Sequence, residues 1–253
     1  MSLPAQTSDQ RRHASVYFPD RLEQLARQRP DAIALRYRHR GGWRFRCWAE
    51  MAAHVQAARA GLHALGFGSG DRLFILGDLD PHLLTMSFAA WSLKGAVVAG
   101  QSLQNTADML DELGHNYVFI QGRRALLAWL QGWAGAGIVP RMSLIYDQSA
   151  SGRRDIGSAG DGLSSCRLLT YAALIGDCPI RASLPAMSRS PADIYWVEES
   201  SNDPGKCEAL VDFWLTNRVA LTFPAAQGKS VSPQLSLDSG SVTCRPLPKP
   251  LFG

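Results

Sequence analysis

GFGSGDRLFILGDLDPHLLTMSFAAWSLKGAVVAG, residues 66–100, decides the fold. It reads as turn, strand, helix, strand. Gly66, Gly68 and Gly70 mark the turn. Leu73–Leu76 is an apolar run bounded by polar residues, the pattern of a parallel strand covered on both faces. Pro81 stands where a helix starts without losing a hydrogen bond. Leu83, Leu84, Met86, Phe88, Ala89, Ala90, Trp91 and Leu93 leave that helix little polar surface, so it is expected to be buried. Lys94 and Gly95 close it, a cation followed by the residue that best tolerates a left-handed turn. The small-residue strand Ala96–Ala99 follows. A strand, a helix and a second strand in this order form a βαβ unit and predict a parallel sheet.

The alternation continues outward from this unit. Trp48, Met51, Ala52, Val55, Ala58, Leu62 and Leu65 recur at helical spacing and make Cys47–Leu65 an amphipathic helix ended by Gly66. The glycines that follow precede a strand, whereas a dinucleotide loop follows one, so a nucleotide fingerprint is rejected here. Upstream, Asp20–Arg29 is a short helix stopped by Pro30, after a disordered start over 1–17. Ala32–Arg38 and Trp43–Arg46 alternate around Gly41–Gly42 as a hairpin. Arg36, Arg38 and Arg40 share one strand face, a nucleic-acid or anionic-lipid patch or, as preferred here, a solvated strand face. Downstream, Thr106–Leu113 (helix), Tyr117–Ile120 (strand), Arg123–Trp133 (helix) and Ser143–Tyr146 (strand) extend a doubly wound α/β structure. Leu126, Leu127, Leu130 and Trp133 are its last inward stripe. Gln148–Ser165 is a Gly/Ser-rich loop, Leu168–Ile175 a short helix, Pro179–Pro191 a connector and Ile194–Val197 a strand.

The 253 residues are 46% hydrophobic and 19% charged, the balance of a globular chain with a sizeable core. The formal charge of +4 does not require a nucleic-acid partner. Cys47, Cys166, Cys178, Cys207 and Cys244 are scattered without a CxxC pair, which suits a reducing compartment and no zinc site. The start is polar, and Ser87–Ala99, the longest apolar stretch, is shorter than the roughly 20 residues a membrane span needs. A cytoplasmic protein without a transmembrane segment is expected. His54, His63, His82 and His115 lack metal-ligand spacing. Asp78 and Asp80 flank a helix start and read as cap or dipole residues. Adjacent Glu198 and Glu199 diverge on an extended run and do not form an acid/base pair.

The helix ending in AGLHALGFGSGDRLFIL, the proline-started helix and LKGAVVAG together resemble the amino-terminal region of adenylate-forming (AMP-binding) enzymes, among them long-chain acyl-CoA synthetases. The resemblance runs from about Phe18 to Leu221. It implies a partial doubly wound, mainly parallel sheet with flanking helices over 18–224, followed by an irregular tail over 225–253. It further implies ATP and Mg²⁺ as cofactors, and a carboxylic or fatty acid with coenzyme A as substrates.

In that family the strand at Ile194–Val197 runs into a loop of the form SSGTTGxPK, whose glycine N–H groups, hydroxyls and lysine bind the phosphates of ATP. The corresponding stretch is Glu198-Glu199-Ser200-Ser201-Asn202-Asp203-Pro204-Gly205-Lys206-Cys207-Glu208. Ser200, Ser201 and Gly205 match; Asn202 replaces a glycine, Asp203 and Pro204 replace two threonines, and Glu208 takes the lysine's place with Lys206 two residues before it. The resemblance thus assigns cofactor binding to Ser200, Ser201, Asn202, Gly205 and Lys206. It assigns no catalytic residue, because the family's later motifs have no positions here. A truncated, inactive synthetase-like protein is expected, or alternatively a non-catalytic binding or regulatory module that associates with another protein.

Overall fold

The computed structural model describes residues 8–39, 42–77, 80–99, 115–133, 141–147, 166–176, 194–196, 211–212, 214–216, 218 and 220–223. In chain order the elements are α1 (Ser8–Gln28), β1 (Ile33–His39), β2 (Gly42–Cys47), α2 (Trp48–Ala64), β3 (Arg72–Leu76), α3 (Pro81–Ser92) and β4 (Ala96–Ala99). There follow β5 (Asn116–Gln121), α4 (Arg123–Trp133), β6 (Met142–Asp147), β7 (Cys166–Thr170), α5 (Tyr171–Ile175), β8 (Ile194–Trp196) and β9 (Ala220–Phe223). The chain divides into two compact units, Ala53–Pro179 with Asn202–Pro204, and Met1–Ala52 with Ile180–Ser201 and Gly205–Gly253.

The first of these units holds a five-stranded sheet in the order β4-β3-β5-β6-β7, every neighbouring pair parallel. Strand alternation splits its core in two. Leu73, Ile75, Tyr117, Phe119 and Ile145 face a cluster with Ala58 and Leu62 of α2, Met86, Ala89 and Ala90 of α3, and Tyr171 and Leu174 of α5. Phe74, Leu76, Val118, Ile120 and Leu144 face Leu126, Trp129 and Leu130 of α4. Both faces are therefore covered, as the continuous apolar runs require. Each large side chain buried in this way contributes about 1.5–3 kcal/mol. The expected strands and the buried α3 are all present.

Four details differ from the sequence reading. The residue in the left-handed region after α3 is Lys94, with φ 59, and not Gly95. Gly95 N donates to Ala90 O at 3.0 Å and Lys94 N to Trp91 O at 2.9 Å, a Schellman closure with Lys94 at the left-handed position. Gly95 is required for space, since a Cβ there would lie 2.4 Å from the Phe67 ring. Residues 168–170, read as the start of a helix, belong to β7. The Thr170 hydroxyl accepts from Ala173 N at 2.9 Å and caps α5, so strand passes to helix without a loop. On α4 the inward stripe is Leu126, Trp129 and Leu130, with Leu127 half-buried. Finally, α1 starts at Ser8, within the stretch expected to be disordered, and runs through Pro19. Thr106–Leu113, the loop Gln148–Ser165 and the connector Pro179–Pro191 lie outside the described residues.

The other unit carries a four-stranded sheet in the order β2-β1-β9-β8. The hairpin β1–β2 is antiparallel, while β9 runs parallel to both β1 and β8. Trp48 and Trp214 stack at 4.9 Å between centroids, and the Trp214 indole N–H donates to Ala34 O at 3.2 Å. Glu50 accepts from Cys47 N at 3.0 Å while Cys47 Sγ accepts from Glu50 N at 3.4 Å, a capping box in which a thiol fills the hydroxyl's place. Burial raises the Cys47 thiol. On the hairpin, the Arg36 guanidinium lies 4.0 Å over the Trp43 ring and 5.7 Å from that of Phe45, which engages one arginine of the supposed basic face in packing.

Candidate functional site

In a parallel α/β sheet, ligand sites form outside the carboxyl ends of the strands, where successive connections leave on opposite faces. That point lies between β3 and β5. These strands are neighbours, but α3 after β3 packs on one face and α4 after β5 packs on the other. Beyond the carboxyl ends of these strands and of β6 stands a cluster of polar side chains.

Asp80 opens it. As the cap of α3 it accepts from Leu83 N at 2.7 Å, the role expected from the sequence, with Pro81 following in the first turn. Gln121, the last residue of β5, donates a side-chain hydrogen bond to the same carboxylate. Gly77 leaves room for that contact, because a Cβ on it would stand 2.4 Å from the Gln121 Cβ. Burial pushes the Asp80 carboxyl above its ordinary range. His82 and the Leu83 N–H pull it down, and the charge of Asp147 adds to the rise.

His82 follows in the first turn of α3. Its Nδ1 lies 2.8 Å from Oδ2 of Asp147, the last residue of β6. Asp147 is only 4% exposed, against 19% for the His82 side chain. The imidazole stacks on Tyr171 of α5 at 4.4 Å and 28°, and Tyr171 meets Phe119 edge-on at 6.2 Å. Asp80, His82 and Asp147 each offer a ligand atom within 4.8 Å of the others. Two carboxylates and an imidazole in such a cluster accept protons or a cation and repel anions.

Sequence reading identified Asp80 as a cap and set His82 aside for want of metal spacing. The His82–Asp147 contact joins positions 65 apart. The available signal was positional, since Gln121 and Asp147 are both polar ends of apolar strands. Of the other histidines named above, His115 Nε2 lies 2.9 Å from Ser143 Oγ and His54 is buried. The expected phosphate-binding residues Ser200, Ser201, Asn202, Gly205 and Lys206 lie outside the described residues. On either side of them, β8 pairs parallel with β9 and residues 211–212 and 214–216 are helical. Among the described residues no helix is long and apolar enough to cross a membrane.

No curated protein sequence matches the chain. Among solved structures, acetoacetyl-CoA synthetase from Streptomyces lividans is similar at a TM-score of 0.59 and 16% identity, over 81% of this chain and 38% of that one. Coronafacic acid ligase from Pectobacterium brasiliense matches at 0.60 and 8% identity, over 83% and 45%. A Mycobacterium tuberculosis fatty acyl-CoA synthetase matches at 0.57 and 12% identity, over 84% and 45%. At such identities the likeness is one of fold, and the chain spans less than half the length of each of these three. The family model described as AMP-binding enzyme matches residues 22–162, more than half of the chain and four of the five strands of the parallel sheet, β3 to β6. The chain therefore belongs to the AMP-binding enzyme family.

Proposed function

We propose that this chain is an acyl-CoA synthetase-like member of the family whose phosphate loop no longer supports adenylate formation. The family reaction joins a carboxylic or fatty acid to ATP with loss of pyrophosphate, and then transfers the acyl group from AMP to the thiol of coenzyme A. The observation that carries the reading is the stretch Glu198–Glu208. Its placement between β8 and the helical residues 211–212 and 214–216 supports a phosphate-loop origin, since such loops leave a parallel strand and open a helix.

Ser200, Ser201, Asn202, Gly205 and Lys206 would contact phosphate oxygens and Mg²⁺-bound nucleotide in this reading. Their neighbours oppose them. Pro204 has no N–H to donate, and Asp203 and Glu208 bring negative charge toward a polyanion. Two like unit charges about 4 Å apart repel by roughly 4 kcal/mol at an effective dielectric of 20, the difference between micromolar and millimolar affinity. ATP binding at millimolar strength or weaker follows. Acid-dependent exchange of labelled pyrophosphate into ATP tests the reading across short, long and aromatic acids, with no exchange expected. Formation of any acyl-adenylate would contradict it and restore an active ligase.

The same loop chemistry supports a second reading, a binding or regulatory module acting on another protein. A changed rate of a complete synthetase upon addition of this chain would favour it.

A further inference from the structure

We propose that Asp80, His82 and Asp147 form a binding site for one divalent transition-metal ion of the zinc or manganese class. The donor set is mixed, with two carboxylates and one imidazole. Carboxylates alone suit magnesium or calcium, and the imidazole nitrogen shifts preference toward the borderline metals.

The His82–Asp147 spacing fits adjacent ligands of such an ion, and the 4.8 Å span of the whole set closes slightly to hold it. Two ligands at about 2.1 Å from one metal stand roughly 3.0 Å apart when adjacent and roughly 4.2 Å apart when opposite in an octahedron. His82 Nδ1 and Asp147 Oδ2 are already 2.8 Å apart, and all three ligand atoms lie within 4.8 Å of one another. An ion bound here takes the place of the proton shared by His82 and Asp147.

The ligands are also held by rigid parts of the fold. Leu83 N and the Gln121 side chain both donate to the Asp80 carboxylate and fix it, and two of its roughly four lone-pair sites remain for a cation. The His82 ring is oriented by its stack on Tyr171. Asp147 ends a strand paired on both sides, by β5 and by β7. Preorganisation of this kind separates a metal site from a chance meeting of acids. The positive end of α3 opposes a cation, but the two carboxylates outweigh a half-charge that Asp80 already caps.

The test is calorimetric titration of the metal-stripped full chain with zinc chloride and with manganese chloride, without nucleotide, so that its result is separable from the fate of the phosphate loop. One equivalent should bind at micromolar strength. Asp147→Asn and His82→Gln should each weaken binding at least tenfold, whereas Cys166→Ser should leave it unchanged. Asp80→Asn retains a good helix cap and should also weaken binding at least tenfold, which keeps the test decisive if either other variant fails to fold. With cobalt as the probe, near-ultraviolet absorption should carry no thiolate charge-transfer band. Absence of binding by the parent chain, survival of binding in Asp80→Asn, or a thiolate band would each overturn the site.

Discussion

Two connections in this chain leave parallel strands and lead into helices. After β3 the backbone turns at Gly77 and enters α3 through Asp80 and Pro81. After β8 the sequence runs through Glu198–Glu208 before the helical residues 211–212 and 214–216. Each stretch lies between a strand and helical residues, yet the chemistry of the two sequences differs. The connection after β3 gathers acceptors, with Asp80, His82 and Asp147 within 4.8 Å. The stretch after β8 carries Asp203 and Pro204 where, under the function proposed above, an anion-binding loop would have threonines. A strand–loop–helix turn thus supplies a place for a ligand, and the side chains on it decide the sign of charge that can occupy that place.

The largest expected effect concerns the tightness of the first connection. Gly77 has φ 153, and a Cβ there would meet Gln121 at 2.4 Å. Gly77→Ala should cost about 2–3 kcal/mol, from overpacking together with an unfavourable backbone region. Denaturant unfolding of the variant measures it. A loss below about 0.5 kcal/mol would mean that the Gln121–Asp80 contact is not constrained, and the contrast between the two connections would weaken.

A smaller effect separates Asp80's cap from its charge. Asp80→Ala should lose about 1 kcal/mol as the α3 cap disappears, whereas Asp80→Asn keeps the acceptor. The raised folded-state pKa of Asp80 means that its favourable linkage is complete below its ordinary value of 3.8 and lost as pH rises through the folded value. The asparagine variant has no such loss, so it should gain stability relative to the parent at neutral pH and show no gain well below 3.8. Unfolding midpoints at the two pH values decide the sign. A parent that gains relative to the variant as pH rises would show that His82 and the cap outweigh burial.

Cys166 should have the least effect on folding at neutral pH. Burial raises its thiol from 9.0 to about 11. Near neutrality it should carry about 100-fold less thiolate than an ordinary cysteine and alkylate correspondingly slowly. Above 9.0 the unfolded chain ionises first, so stability falls as pH rises toward 11. Mass spectrometry of iodoacetamide-treated protein reads the rate, and fast labelling at neutral pH would show that β7 opens readily.

What could be read in advance depended on sequence distance. The β3–α3–β4 unit was legible because Pro81 and the dense apolar residues after it leave one interpretation. Leu168 and Leu169 carried no such mark. An apolar run of that length fits strand or helix, and the pairing of Leu144 with Leu168 settles it in three dimensions. Lys94 shows the same limit in a turn, since the glycine beside it was needed for Phe67 and not for backbone handedness. At the site, Asp80's cap was local and could be read. The meeting of His82 with Asp147 depends on the registers that carry β3 to β5 and β5 to β6, which spacing along the chain does not encode.

The contrast between the two connections is tested most directly by calorimetric titration of Mg-ATP into the chain and into a variant with the family's loop restored, Asn202→Gly, Asp203→Thr, Pro204→Thr and Glu208→Lys. The parent should bind at millimolar strength or weaker, and the variant at least tenfold more tightly once two acids are removed and an N–H donor returned. Micromolar binding by the parent, or no gain on restoration, would contradict the reading that these side chains closed the loop to nucleotide.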